Sequence, residues 1–294
     1  MNTVTLPAEL RQRFAEACRQ SSSVGFVPTM GCLHSGHLRL VQQAREENDL
    51  VVVSIYVNPT QFGPQEDFAR YPRDLDTDRR LAEEAGVDLL FLPDTATIYP
   101  AGPDAQRVWI DPGAMAQCLC GASRPGHFRG VATVVAKLFH LVQPDRAYFG
   151  AKDGQQAAII TRMVTDLAFP IEIRVASTVR EKDGLALSSR NVYLTPDQRH
   201  EAVALSQVLN LAKAYLTAGG RNARELEKVA RDHLTRAAPL GRIDYVTAVD
   251  LVTLQPAPDE INRDIMLALA VYFGRTRLID NRVARFTPHG LEFQ

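Results

Sequence analysis

Val24-Gly25-Phe26-Val27-Pro28-Thr29-Met30-Gly31-Cys32-Leu33-His34-Ser35-Gly36-His37 runs directly into Leu38-Arg39-Leu40-Val41-Gln42-Gln43-Ala44. The first four residues form a short apolar run and predict a strand. The last seven space their apolar side chains as an amphipathic helix does. Between them the chain turns, and two imidazoles, His34 and His37, fall three residues apart on one helix face at that turn. A helix start carries about half a positive elementary charge and a set of unpaired N–H groups. Such a turn suits an anion, and a polyphosphate in particular. Gly36, between the histidines, lets a flat or anionic ligand approach the backbone closely.

Working outward, the same alternation repeats through the first 180 residues. Strands are predicted at Val24–Pro28, Leu50–Val57, Leu89–Leu92, Arg146–Phe149 and Ile171–Ala176, with helices at His37–Glu47, Leu75–Ala85, Arg129–Val142 and Gln155–Leu167. The Leu50–Val57 run is rich in Val and Ile, as a strand buried on both faces requires. This order predicts an α/β fold, a Rossmann-like parallel sheet flanked by helices, with ligands at the carboxyl ends of the strands. The motifs fall at those ends. His34 and His37 follow the first strand, Asn58-Pro59-Thr60-Gln61-Phe62-Gly63 follows the second, and Gly150-Ala151-Lys152-Asp153 follows Arg146–Phe149.

After about residue 178 the texture changes. Thr178–Asn191 reads as a polar loop carrying Leu187-Ser188-Ser189-Arg190. One long helix is predicted from Pro196 to about Ala218, stopped by Gly219-Gly220, and another over Ala223–Ala237. Tyr245–Asp250 and Ile265–Tyr272 read as strands, and the last dozen or so residues as a tail. The expected division is therefore a Rossmann-like domain over 1–178 and a smaller α+β domain over 179–294.

Of 294 residues, 46% are apolar and 23% charged, enough for a sizeable core. The formal net charge of −1 and the lack of a basic patch argue against nucleic acid as a partner. MNTVTLPAELRQRF lacks the apolar stretch of a secretory signal, and no run approaches the length of a membrane helix. Cys18, Cys32, Cys118 and Cys120 suit a reduced cytoplasmic protein better than a disulfide scaffold.

His34 and His37 admit three readings. An H-x-x-H pair is often no more than two cap histidines. Cys32-x-His34-x-x-His37 has the residue types of a zinc site, but its spacing matches none of the familiar ones, and Cys118-x-Cys120 is distant in sequence. The strand–turn–helix context favours phosphate contact. Lys152-Asp153 read alone is a surface ion pair. At a strand end, Lys152 neutralises phosphate charge and Asp153 accepts from ribose hydroxyls. Ser188-Ser189-Arg190 offers hydroxyls and a guanidinium fork, or else forms a polar linker. Gln61 and Gln156 donate and accept, which suits a substrate with hydroxyls and a carboxylate. Asp67, Asp74, Asp76 and Asp78 read as a solvated helix start rather than a magnesium site. Cys118 and Cys120 read as small core or surface residues. Nothing matches a P-loop or a Ser-His-Asp set.

Taken in order, several segments resemble the pantoate–β-alanine ligase family: Phe26–His37, Val57-Asn58-Pro59-Thr60-Gln61-Phe62, Tyr71-Pro72-Arg73, Arg124-Pro125-Gly126-His127-Phe128-Arg129-Gly130-Val131, Phe149–Asp153, and Asp183–Asn191. They span residues 24 to about 194. The H-x-G-H element alone resembles the wider nucleotidyltransferase superfamily, which includes class I aminoacyl-tRNA synthetases.

The resemblance implies that ATP and (R)-pantoate give pantoyl adenylate and pyrophosphate, and that β-alanine then gives pantothenate and AMP. It places Met30 to His37, Gly150 to Asp153, Val179, and Leu187 to Arg190 around ATP. It gives Gln61 and Gln156 to pantoate and Gln61 also to β-alanine. His34, His37 and Lys152 become the catalytic groups, with His37 as the usual proton donor. Magnesium would travel with ATP on ligands left unassigned, and no tightly bound organic cofactor is expected. The resemblance further implies a cytoplasmic homodimer with an ATP- and pantoate-binding first domain and a C-terminal lid. Ser35 and Ala151 stand where Glu is common, and Leu187 where Met is. Gly154 replaces a common aromatic residue, which predicts a looser wall there. The rivals are an enzyme of the same fold adenylating another acid, and a catalytically silent nucleotide- or zinc-binding protein. A class I synthetase is disfavoured by the absence of an anticodon-binding region and a basic surface.

Overall fold

Six short strands lie side by side in parallel: β1 (Asn2–Val4), β2 (Val24–Thr29), β3 (Leu50–Ile55), β4 (Leu89–Phe91), β5 (Arg146–Gly150) and β6 (Glu172–Ala176). Their order is β1-β4-β3-β2-β5-β6. Helices connect them: α1 (Pro7–Cys18), α2 (Ser35–Glu47), α3 (Leu75–Glu84), the single turns α4 (Thr95–Ile98) and α5 (Cys120–Ser123), then α6 (His127–Val142) and α7 (Gly154–Asp166). This computed structural model describes residues 1–18, 22–64, 66 and 68–294, with residues 14–18 described by backbone alone.

Alternation along β2 assigns its side chains to the two faces. Val27 packs with Val51 and Val53 of β3 against Leu40, Val41 and Ala44 of α2. Phe26 turns the other way, its ring edge-on to Phe139 of α6 at 6.4 Å. With both faces covered, Val51, Val52 and Val53 are all fully buried, which is why that run reads as continuously apolar. The α/β reading of the first part of the chain holds, with shifted boundaries. α2 begins at Ser35 and α6 at His127, each two residues before the predicted start.

Packing divides the chain into two compact units. The first is Met1–Gln117, Gly121–Gly150 and Ile159–Ala176; the second is Cys118–Cys120, Ala151–Ala158 and Ser177–Gln294. The second unit contains α8 (Pro196–Glu201), α9 (Ala204–Thr217), α10 (Ala223–Ala237) and an antiparallel sheet of β7 (Gly241–Asp250), β8 (Ile265–Phe273), β9 (Thr276–Thr287) and β10 (Gly290–Phe293), in the order β10-β9-β8-β7. Its core joins Leu205, Leu209 and Leu226 to Val246, Leu267 and Leu269.

Two expectations for this region are corrected. The single helix predicted from Pro196 divides at Ala202–Val203, where the Leu205 and Ser206 N–H groups bond three residues back, to Ala202 and Val203. The predicted tail is the end of β9 followed by β10. The two-residue turn Gly274-Arg275, with Gly274 at φ +60°, sends β9 back along β8. Among the described residues no helix is long and apolar enough to cross a membrane.

Candidate active site

Both imidazoles sit where the chain leaves β2 for α2. His34 is the N-cap, at φ −139° and ψ 174°, and its Nδ1 accepts the Gly36 N–H at 3.1 Å. His37, three residues on, accepts the His34 N–H at its own Nδ1, at 3.4 Å. A neutral imidazole that accepts at Nδ1 carries its proton on Nε2. The helix cap thus selects one tautomer for both rings, whose centroids lie 4.1 Å apart. Gly36 also has a packing reason to be small: a Cβ there would lie 2.8 Å from His34 Cε1 and 2.9 Å from its Nδ1.

The turn just before the histidines is held by α3. Gly31 and Cys32 adopt left-handed backbone, at φ 83° and 54°. The Cys32 and Leu33 N–H groups both donate to the Asp78 carboxylate, at 2.9 and 2.6 Å. Asp78 is 2% exposed, so its expected place in a solvated helix start is corrected. Asp74 does cap α3, accepting the Thr77 N–H at 3.1 Å, while Asp67 lies outside the described residues. Burial, with the Asp78 and Asp74 charges, pushes the Cys32 thiol up from its ordinary value. Zinc ligation needs the thiolate, and the described residues contain no group of three or more His, Cys, Asp or Glu placed to hold a metal ion.

At the neighbouring strand end, Pro59–Gln61 forms a single tight turn after β3. Buried Asn58 organises it. Asn58 Oδ1 accepts from Thr60 Oγ1 at 3.0 Å and from Tyr99 Oη at 2.9 Å, while Nδ2 donates to Gln61 Oε1 at 3.1 Å and to the Gly130 carbonyl at 3.2 Å. The Gln61 amide is thereby oriented, with Nε2 3.1 Å from Met30 Sδ. The Gln61 carbonyl lies 2.8 Å from His127 Nδ1 and accepts from Arg124 at 3.3 Å. Arg124 in turn grips Glu66 through two contacts of 2.6 Å. Burial alone would raise the Glu66 carboxyl, but the bonds and charge of Arg124 outweigh it and hold the group below its ordinary range.

Gly150 ends β5, the strand beside β2. The tight turn Ala151–Asp153 follows at once and belongs to the second unit. Lys152 Nζ lies 3.7 Å from Asp153 Oδ1. Asn281 Nδ2 donates to the Ala151 and Lys152 carbonyls at 2.9 and 2.8 Å. Gln155, buried at the start of α7, spans the Cys118 carbonyl and the Cys120 N–H at 2.8 and 2.9 Å, with half-buried Gln156 beside it. The expected polar loop is a small hairpin. The Leu187 N–H donates to the Val179 carbonyl at 3.0 Å, and Arg180 pairs with Asp280 at 2.6 and 3.1 Å. Ser188 caps the turn Ser189–Tyr193 by accepting the Arg190 N–H at 3.2 Å.

The first unit therefore brings Met30, the two histidines and Gln61 to adjacent strand ends. The second gathers the Lys152 turn, Gln156 and the Val179–Arg190 hairpin. Residues 2–283 match the family model for pantoate–β-alanine ligase. The chain belongs to the pantoate–β-alanine ligase family. It is 55% identical to the pantothenate synthetase of Moorella thermoacetica, over 94% of this chain and 96% of that one. It is 50% identical to pantothenate synthetase 1 of Bradyrhizobium diazoefficiens, over 98% and 100%. The crystal structure of pantothenate synthetase from Thermus thermophilus aligns with a TM-score of 0.87 at 50% identity, covering 96% of this chain and 98% of that one. The ligase from Francisella tularensis, solved with β,γ-ATP and β-alanine, aligns with a TM-score of 0.76 at 35% identity, covering 96% and 97%.

Against the ligase family pattern, Gly154 was expected to leave a looser wall. The structure shows the reverse: a Cβ there would meet Met266 Sδ at 2.6 Å and Asn281 Oδ1 at 2.9 Å. Cys120 is also more than packing. Its buried Sγ lies 3.2 Å from Tyr245 Oη and accepts from Arg277 at 3.3 Å, and Arg277 is itself paired with Asp244 at 2.8 Å. Burial pushes the Tyr245 phenol upward. Tyr99 and Asn281 lie outside the motifs read from the sequence, and Asp78 is read there only as part of a solvated helix start; burial and long-range contact reveal all three.

Proposed function

We propose that this chain condenses (R)-pantoate with β-alanine, driven by ATP, to give pantothenate, AMP and pyrophosphate through pantoyl adenylate. A carboxylate is a poor electrophile. Its oxygen therefore first attacks the α-phosphorus of ATP, expelling pyrophosphate. The β-alanine amine then attacks the acyl carbon of the mixed anhydride, loses a proton, and expels AMP. Neither step needs a covalent enzyme intermediate, so positioning and charge stabilisation carry the catalysis.

The observation that carries this reading is the placement of His34 and His37 at the start of α2, each accepting a backbone N–H at Nδ1. Two Nε2–H donors beside a helix N-terminus suit hydrogen bonds to the oxygens of a polyphosphate, and His37 would hand over a proton only as the imidazolium, with the Nδ1 contact to the His34 N–H given up. Met30 to His37 cradle the nucleotide. Gly150 to Asp153 hold ribose and phosphate, with Lys152 as the cation that meets the charge developing on the leaving pyrophosphate. Val179 and Leu187 to Arg190 cover adenine and phosphates. Gln61 binds pantoate and lies at the β-alanine position, and Gln156 binds pantoate. The Francisella tularensis relative, solved with β,γ-ATP and β-alanine, supports two of these ligands. Magnesium enters on ATP as part of the substrate. The acting form in this reading is a cytoplasmic homodimer.

The test is AMP release from Mg-ATP and (R)-pantoate, with and without β-alanine. Many turnovers only when β-alanine is present is the expected result. No AMP from a folded protein that binds ATP would mean that the acid or the amine is wrong.

A further inference from the structure

Asn281 lies in β9, 130 residues beyond Ala151 and 129 beyond Lys152, and both carbonyls accept from its one amide nitrogen, at 2.9 and 2.8 Å. The side chain is 7% exposed. Its backbone N–H donates to Asp280 Oδ1 at 2.9 Å, and Asp280 is held by Arg180. Its Oδ1 leaves no room for a side chain at Gly154, at 2.9 Å from where a Cβ would stand. The amide is thus fixed in place, with its two hydrogens directed at the two carbonyls. An aspartate here could not donate, and a serine has a single hydrogen for two acceptors.

We infer that Asn281 is a positioning residue for Lys152. A lysine acts as a point charge on a flexible stem, so its effect depends on where the stem is rooted. The root here is the three-residue turn Ala151–Asp153. Asn281 ties both of its leading carbonyls to a strand in the core of the second unit. The inference rests on the reading of Lys152 as the group that stabilises phosphate charge.

The experiment compares Asn281→Ala, Lys152→Ala and the double variant in the full chain, reading kcat at saturating substrates. Lys152→Ala loses most turnover while remaining folded. Asn281→Ala lowers kcat about tenfold or more in the native background, as misplacement of a catalytic group does. In the Lys152→Ala background it changes kcat by less than about twofold, because the group it positions is gone. Asn281→Ser, which keeps one donor, falls between. A folded Asn281→Ala protein with native kcat overturns the inference. So does an equal loss in both backgrounds, since Asn281 would then act apart from Lys152. If neither the Ala nor the Ser variant folds, Asn281 is a core residue only and the inference fails. A Lys152→Ala protein with native kcat is a separate result: it removes the reading of Lys152 itself.

Discussion

Asp78 and Asp74 are four residues apart on the same helix start, yet they meet different surroundings. Asp74 faces solvent and caps α3, whereas Asp78 is buried against the Cys32 and Leu33 N–H groups. Asp78→Asn keeps the shape but offers one acceptor in place of two, so one of those N–H groups faces an amide hydrogen. A buried donor left unmade costs about 1–3 kcal/mol. Urea unfolding should register a loss of that order, and the KM for ATP should rise while that for β-alanine stays put. Native stability together with a native KM for ATP would exclude this role. The residue was not legible beforehand because Asp74-x-Asp76-x-Asp78 is a uniform pattern in sequence. Only the packing of α3 decides which carboxylate turns inward. His34 and His37 were legible because their partners lie within three residues, in the helix cap itself.

Helix α6 is pressed against the Gln61 turn. At Gly130 an added Cβ would come within 2.4 Å of the Thr60 carbonyl oxygen and 2.9 Å of the Gln61 nitrogen, both backbone atoms that cannot swing aside. In an open helix, Gly→Ala gains up to about 1 kcal/mol. Here overpacking of about 1–3 kcal/mol dominates. Gly130→Ala should therefore lower the melting temperature and raise the KM for pantoate, with the KM for ATP little changed. A stabilised variant with a native KM for pantoate would show that the turn yields. Elements with their own periodicity, such as α2 and β3, were legible from local pattern alone. β9 and β10 were not, because their apolar spacing is weak and their place comes from pairing, β9 with β8, whose residues are nearly all buried, and β10 with β9. Ala151–Ala158 belongs to the second unit through contacts such as that of Asn281, and no local pattern encodes a partner 130 residues away.

Across the whole molecule, buried ionisable groups set the pH range of stability. The Tyr99 and Tyr148 phenols are pushed up to about 12 by burial, from an ordinary value of 10. Between those values the folded chain holds protons that the unfolded chain has released, so stability falls as pH rises through this window. Each such group contributes a slope of up to about 1.4 kcal/mol per pH unit. In the second unit the Tyr245 phenol is raised as well, so neither unit is spared. On the acid side the sign reverses. The Glu66 carboxyl is held below its ordinary 4.5 by Arg124, which outweighs burial. The unfolded chain therefore takes up its proton first, and the stability from this pair is lost as pH falls below 4.5 toward the depressed folded value. Urea midpoints measured across pH should decline on the acid side as the Glu66 pair is lost, and on the alkaline side from about pH 9, where the raised Cys32 thiol joins the phenols. Tyr99→Phe, whose hydroxyl bonds Asn58 and Thr60 rather than a carboxylate, should make the alkaline decline shallower without altering the acid one, and Glu66→Gln should do the converse. A midpoint that stays level to pH 12, where the raised phenols titrate, would mean that these phenols ionise without leaving the fold.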